Sequence, residues 1–165
     1  MTVTDSQKQS ETNKADLWRT GLNKAMKLCS EREICIREIS DKCSSWGIGK
    51  DDTDRIIKIL LDEKFIDENR YASAYVRDKF KYNKWGKAKI AAGLRMKGVP
   101  REIISQSLGL LDDENYKRLL ESLLASQRKK IKAKNQYDLK AKLMRYGLSK
   151  GFESALLYEI LGEEV

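Results

Sequence analysis

The chain contains no histidine among its 165 residues. That absence excludes histidine general bases, Ser-His-Asp and Cys-His catalytic arrangements, and histidine metal ligands. A single proline favours helices, and no run approaches the ~18 apolar residues of a membrane-spanning helix. The polar N-terminus also lacks the apolar core of a secretory signal. These absences point away from an enzyme, a cofactor or a membrane partner, and towards a helical binding protein.

Cysteine is scarce as well. Cys29, Cys35 and Cys43 are odd in number, and each occupies an apolar position of a helical pattern. They lack the paired short spacing of a zinc site. We therefore expect reduced, buried and inert thiols in a cytoplasmic protein rather than a disulfide framework.

A short pattern is present three times, centred on Gly47, Gly98 and Gly151. Aligning the three glycines aligns apolar residues eight positions before them and one position after them. A repeat near 50 residues with helical periodicity predicts an array of all-helical repeats. Because such arrays present extended surfaces, the pattern favours binding over catalysis.

The fold predicted is all-α, with about nine helices in three tandem three-helix repeats that form an elongated, curved array. A disordered polar tail is expected over residues 1–14, followed by repeats over 15–66, 67–111 and 112–162. Each glycine should lie just beyond a middle helix, where a left-handed residue closes it. The first repeat departs most, because a longer loop is expected after Gly47, with Asp51 or Asp52 capping the third helix.

Two acidic clusters, Asp51-Asp52-Asp54 and Asp112-Asp113-Glu114, have the composition of two-metal nuclease sites. Each comes immediately before a predicted helix, where carboxylates bind free amides and favour the helix dipole. We interpret both as helix starts rather than metal ligands. The third repeat is expected to begin with Asp113-Glu114-Asn115, matching Asp67-Glu68-Asn69 of the second.

Positive charge is concentrated in the last two repeats. Counting Asp, Glu, Lys and Arg, residues 31–69 have a net charge of -4, whereas residues 70–101 and 117–150 each have +9. The lysines follow the repeat: Lys87, Lys89 and Lys97 precede Gly98 by the offsets at which Lys140, Lys142 and Lys150 precede Gly151. Such a ladder could follow a polyanion; the alternative is that the lysines only solvate the outer faces of the middle helices.

Aromatic residues lie among these charges. Tyr71 and Tyr75 are interpreted as core residues, whereas Trp85, flanked by Lys84 and Gly86, is the better candidate for stacking on a base or another external contact. The binding candidates are the basic residues and the tryptophan of this region: Lys79, Lys81, Lys84, Trp85, Lys87, Lys89, Arg95, Lys97, Arg101, Arg128, Lys129, Lys130, Lys132, Lys134, Lys140, Lys142 and Lys150. The run from 127 to 134 is either a solvated helix end or a flexible basic arm.

Three segments resemble the RecX family. They are the run from Phe65 to Phe80, the run from Lys84 to Val99, which includes Lys84-Trp85-Gly86-Lys87 and Leu94-Arg95-Met96-Lys97-Gly98, and the closing Ser149-Lys150-Gly151-Phe152. The resemblance covers roughly residues 20–162. Two departures affect packing: Cys43 and Gly147 occupy the place that Leu94 has in the second repeat.

The resemblance implies a monomeric regulator of the RecA recombinase. Members of the family lie in the groove of the RecA–DNA filament and inhibit ATP hydrolysis and strand exchange, in DNA repair and recombination. The partners implied are the RecA filament and single- or double-stranded DNA. From the residues alone, two alternatives stay open: a general nucleic-acid-binding repeat protein acting through phosphates, and a small helical enzyme with an unrecognised site.

Overall fold

A computed structural model describes residues 4–162, and within that range the chain forms nine α-helices and no strand. The all-α helical repeat fold predicted from the sequence is confirmed. A π-helical turn, Lys79–Asn83, follows the fourth helix. The helices are α1 (Asp5–Glu31), α2 (Ile36–Ser45), α3 (Lys50–Asp62), α4 (Glu68–Asp78), α5 (Lys87–Met96), α6 (Arg101–Leu108), α7 (Asp113–Arg128), α8 (Gln136–Ser149) and α9 (Ser154–Gly162).

The chain divides into two compact units, residues 1–71 and 72–165. The first unit has a core of buried residues from α1, α2, α3 and their connections: Ala25, Ile34, Ile39, Cys43, Ile48, Ile56, Leu60 and Ile66. In the second unit, a core of buried residues comes from α7, α8, α9 and their connections: Tyr116, Leu120, Leu124, Leu143, Phe152, Leu157, Ile160 and Leu161. The repeat boundaries suggested by the sequence, at 66/67 and 111/112, stay a prediction.

The three repeat glycines end the middle helices as predicted. Gly47, Gly98 and Gly151 have φ values of 78°, 75° and 94°, in the region that favours glycine. In each case the next residue donates its amide to a carbonyl five residues earlier, which is the Schellman arrangement. These bonds join Ile48 to Cys43 at 3.0 Å, Val99 to Leu94 at 3.1 Å and Phe152 to Gly147 at 3.1 Å.

The longer loop predicted after Gly47 is wrong. Four residues separate α2 from α3, as they separate the corresponding helices of the other two repeats. Helix α3 begins at Lys50 after an N-cap at Gly49, so neither Asp51 nor Asp52 is the cap. Thr53, a buried polar residue, occupies the position at which the other two repeats have the apolar residues Ile104 and Leu157. Apolar periodicity therefore did not show where α3 begins.

Cys43 and Gly147, which replace the leucine of the second repeat at Leu94, each contact a residue that suits their size or polarity. The Cys43 thiol has a hydrogen bond with Thr53, while burial raises the pKa of that thiol above its ordinary value. Gly147 faces Leu157, whose side chain fills the space that a Cβ at Gly147 would need. Each repeat therefore packs this pair of positions with a different combination of polarity and volume.

Acidic residues begin the first helices of the second and third repeats. The Arg70 amide donates to Asp67 Oδ1 at 3.0 Å, and the Asn115 amide donates to Asp112 Oδ2 at 2.9 Å. Asp112, not Asp113, is therefore the equivalent of Asp67, which corrects the alignment drawn from the sequence. The capping interpretation is confirmed for Asp112.

The N-terminal segment differs from its prediction as a disordered tail. Residues 5–14 are exposed turns of α1, which runs without interruption from Asp5 to Glu31. No glycine or proline precedes Gly21, and extending a helix that is already nucleated costs little. The prediction for residues 1–3 lies outside the described part of the chain.

All three cysteines are free thiols. Cys35 and Cys43 are buried, which confirms that part of the prediction, whereas Cys29 is only partly buried. Burial, followed by the charge of Glu33, raises the pKa of the Cys29 thiol. Thiols of raised pKa are poor nucleophiles, so these residues serve packing.

Candidate functional site

The N-terminus of α5 is joined to the end of α8 within the second unit. The Gly86 amide donates to the Lys150 carbonyl at 2.7 Å, and the Ala88 amide donates to the Gly151 carbonyl at 3.0 Å. Free carbonyls at the end of one helix thereby satisfy free amides at the start of another. Two of the segments that resemble RecX are thus in direct contact, although the contacting residues Gly86 and Lys150 are 64 positions apart in the sequence.

Glycine is required on both sides of this junction. A Cβ at Gly86 would overlap the backbone of Gly151, and a Cβ at Gly151 would lie 2.6 Å from the Lys89 amide nitrogen. Gly151 also has positive φ. Neither position has room for another side chain without separating the two helix ends.

Tyr116 closes the same helix start. The Lys87 amide donates to the Tyr116 hydroxyl at 2.9 Å, and that hydroxyl donates to Glu153 Oε1 at 2.6 Å. The Lys87 ammonium lies 4.7 Å from the centroid of the Tyr116 ring and 3.9 Å from Asp113. Burial and the bond to Glu153 raise the pKa of Tyr116. Lys87 therefore belongs to the junction, and the start of α5 is occupied by protein groups rather than open to a phosphate.

Four other lysines gather beside this junction. The ammonium nitrogens of Lys79 and Lys89 lie 4.9 and 4.8 Å from the centroid of the Trp85 ring. Lys150 donates from Nζ to the Asn83 carbonyl at 3.1 Å. Its pKa is lowered by partial burial and by the charges of Lys89 and Lys84. We call this group the Trp85 cluster: Lys79, Lys84, Trp85, Lys89 and Lys150.

Local structure holds the cluster in place. Lys79 is the first residue of the π-helical turn, and its ammonium also lies 5.4 Å from the centroid of the Tyr75 ring. Lys84 ends that turn with a φ of 56°, which directs the chain into Trp85. Within residues 4–162, no carboxylate forms an ion pair with a lysine of the cluster. Its positive charge is therefore not neutralised by the described protein groups.

A second cationic surface is the basic loop, residues 129–135 between α7 and α8. Lys129, Lys130, Lys132 and Lys134 are exposed. The loop backbone is held in place, since Lys142 donates from Nζ to the Lys132 carbonyl at 2.7 Å.

Two further contacts hold the basic loop. The Lys134 amide donates to Asp138 Oδ2 at 3.1 Å, and this bond, followed by that to Lys142, lowers the pKa of Asp138. Ile131 packs against the core of the third repeat. The loop is an anchored cationic surface, so the structure differs from a flexible arm.

Comparison with known proteins identifies the family. The family model described as RecX, second three-helix domain, matches residues 67–108. A regulatory protein RecX of Clostridium botulinum (strain Eklund 17B / Type B) is 31% identical over 134 residues, which cover 78% of this chain and 61% of the relative. Another, of Clostridium perfringens (strain SM101 / Type A), is 29% identical and is covered to 70%. The chain belongs to the RecX family.

Solved structures agree with this assignment. The crystal structure of RecX from Lactobacillus salivarius matches with a TM-score of 0.80 and 26% identity, over 90% of this chain and 97% of that one. A second crystal structure of a regulatory protein RecX has a TM-score of 0.85 over 98% of this chain and 79% of its own; at 22% identity it supports the fold. The chain spans about three fifths of the length of the first curated RecX relatives it matches.

The remaining candidates of this RecX-family chain lie outside the two surfaces. Lys81, Arg95 and Arg101 are exposed, on the π-helical turn, α5 and α6, whereas Lys97, Arg128 and Lys140 are half-buried. Of the predicted ladder, Lys89 and Lys150 come together in the Trp85 cluster. Lys87 and Lys142 instead make contacts that hold the junction and the basic loop.

The exposure of the aromatic residues agrees with the prediction for the two tyrosines of α4 and differs from it for Trp85. Tyr71 is buried and Tyr75 half-buried, as predicted. Trp85 is half-buried as well, with lysines over its ring. Tyr137, which sequence reasoning missed, is 85% exposed at the start of α8, immediately after the basic loop. The available signal was its position between Gln136 and Asp138, outside the apolar register of the helix.

Among residues 4–162, no group of three or more His, Cys, Asp or Glu side chains is arranged to hold a metal ion. In the described part of the chain, none of the helices combines the length and the apolar character needed to cross a membrane. The Trp85 cluster and the basic loop are the candidate functional surfaces of the described residues.

Proposed function

We propose that this chain binds the RecA–DNA filament and lowers RecA activity, as a cytoplasmic monomer without catalytic activity of its own. Membership of the RecX family supports the choice of partner. The observation that carries a role for DNA is the Trp85 cluster, where two lysine ammonium groups lie over one ring beside two further lysines, none of them in an ion pair with a described carboxylate. Such a concentration of charge attracts phosphates and steers association with a polyanion.

A general nucleic-acid-binding role is the second candidate. The basic loop supports it, since four exposed lysines on an anchored backbone suit phosphates of any sequence. This candidate predicts tight binding to free DNA and an ATPase effect that disappears when DNA is in excess. The filament proposal predicts that inhibition persists, because RecA supplies part of the contact.

The test is the DNA-dependent ATPase activity of RecA from the same source, with and without this protein. We expect the wild-type chain to lower the rate at or below stoichiometric amounts. The variant Lys84→Glu/Lys89→Glu, at two exposed lysines of the Trp85 cluster, should inhibit much less, and its remaining DNA binding should have a salt slope shallower by about 0.7–0.9 for each phosphate that the variant no longer neutralises.

The matched control is Lys27→Glu/Lys42→Glu, which makes the same change in net charge at two exposed lysines of the first unit. It should inhibit like the wild type. Both variants should keep their helical circular dichroism, since exposed charges contribute little to stability. If neither the wild-type chain nor the control changes the RecA rate, the proposed function is wrong.

A further inference from the structure

The Trp85 ring is already covered by the protein's own cations. Lys79 and Lys89 place their ammonium nitrogens within 5 Å of its centroid, the distance range of a cation–π interaction. A base stacked over the same face as either ammonium would have to lie about 3.5 Å from the ring, in the space that the lysine side chain occupies. Partial burial of the ring restricts access further.

The same contacts order the charges. A free lysine has a long and mobile stem, whereas Lys79 and Lys89 share one aromatic surface and Lys150 is held by the Asn83 carbonyl. Partial burial, followed by repulsion from the charges of Lys89 and Lys84, lowers the pKa of Lys150. A phosphate placed among them would relieve the repulsion and accept hydrogen bonds from several ammonium groups.

We propose that the Trp85 cluster is a binding site for backbone phosphates of nucleic acid, in which Trp85 positions the lysines and does not stack on bases. This rests on the proposed function for the identity of the ligand. It replaces the stacking role that the sequence suggests for Trp85. Trp85 is thus a positioning residue, and Lys79, Lys84, Lys89 and Lys150 are the phosphate contacts.

The first experiment compares two probes in the absence of RecA. One is a fluorescein-labelled single-stranded oligonucleotide of mixed sequence, and the other is an abasic deoxyribose-phosphate oligomer of the same length. We expect affinities within about threefold of each other, because stacking of even one base on Trp85 would favour the oligonucleotide by at least about fivefold. With Trp18 and Trp46 changed to Phe, Trp85 emission should respond equally to both probes.

The second experiment changes the cluster. Lys79→Glu and Lys89→Glu should each weaken binding of the abasic oligomer by on the order of tenfold and make its salt dependence shallower. The matched control is Lys81→Glu, on the same turn but with its ammonium over Tyr82, which should have a much smaller effect. Trp85→Tyr should bind within about threefold of wild type, because a tyrosine ring also attracts cations. Trp85→Ala should weaken both probes equally although all four lysines remain.

Two outcomes would overturn the inference. One is an oligonucleotide that binds more than fivefold tighter than the abasic oligomer, with the difference abolished in Trp85→Ala. The other is equal weakening by Lys79→Glu, Lys89→Glu and Lys81→Glu, which would show a diffuse field and no site. Failure of the proposed function is distinguishable, since a chain that binds the abasic oligomer through this cluster but leaves RecA unaffected refutes only the regulatory role.

Discussion

Substituting Gly151 tests the close backbone contact between the start of α5 and the end of α8. In Gly151→Ala, the new Cβ would lie 2.6 Å from the Lys89 amide nitrogen and 3.0 Å from the Gly86 carbonyl oxygen. The matched control is Gly47→Ala, at the same Schellman position of the first repeat. Gly47 also has positive φ, but nothing lies within 4 Å of its added Cβ.

The two variants differ by a calculable amount. Both place alanine in the left-handed region, at a cost of about 1–2 kcal/mol. Gly151→Ala also overpacks the junction, at about 1–3 kcal/mol, and strains two hydrogen bonds from Gly86 and Ala88 worth about 0.5–1.5 kcal/mol each. We therefore expect Gly47→Ala to lose about 1–2 kcal/mol of unfolding free energy and Gly151→Ala about 3–8 kcal/mol, the upper end applying if both hydrogen bonds are lost.

Urea unfolding followed by circular dichroism measures the difference, and hydrogen exchange locates it. In Gly151→Ala, the amides of Gly86 and Ala88 should lose protection, whereas in Gly47→Ala they should keep it. Equal loss of stability in the two variants, with unchanged protection at Gly86, would refute the close-packed junction. The cost at Gly151 would then come from its backbone conformation alone.

Two more changes probe neighbouring contacts. Tyr116→Phe should cost about 1–3 kcal/mol at neutral pH, because the Lys87 amide loses its acceptor and Glu153 its donor. Folding raises the pKa of Tyr116. The wild-type tyrosine therefore contributes its full stabilisation below its unfolded pKa of about 10 and progressively less above it. Urea unfolding at about pH 8 and about pH 11, on either side of that pKa, should show a smaller loss of unfolding free energy at high pH in the variant than in the wild type. Gly147→Ala should destabilise in urea unfolding despite its better helix propensity, because the Cβ meets Leu157, and a cycle with Leu157→Ala should give a coupling of about 0.5–3 kcal/mol, with strict additivity as the contrary result.

Local rules predicted the outline of the fold correctly. Apolar periodicity and the glycines at helix ends depend on neighbours in the sequence, so the helices and the left-handed conformations of Gly47, Gly98 and Gly151 followed from them. Errors arose where a local signal was masked. Thr53 interrupts the apolar pattern of α3, so the start of that helix was predicted too late. Residues 5–14 are polar, so the first turns of α1 were predicted as a tail.

The site was only partly predictable, for a different reason. Composition and offset identified the basic residues, but which lysines remain available depends on contacts between distant segments. The charge pattern of the sequence does not show that the Lys87 ammonium lies over the Tyr116 ring or that Lys142 donates to the Lys132 carbonyl. The same holds for Trp85, whose proposed role depends on Lys79 and Lys89 rather than on its neighbours in sequence.

The junction explains why structural residues and the proposed binding residues share the same short motifs. Gly86 and Gly151 allow the ends of α5 and α8 to meet, and the residues adjacent to these two glycines are Trp85 and Lys150. Closing the junction therefore brings Lys150 beside Lys89, on the first turn of α5. The backbone contact determines the spacing of the charges, because the lysines diverge if the two helix ends separate. The arrangement of charges in the proposed site therefore requires glycine at Gly86 and Gly151, which carry no side chain that could contact a ligand.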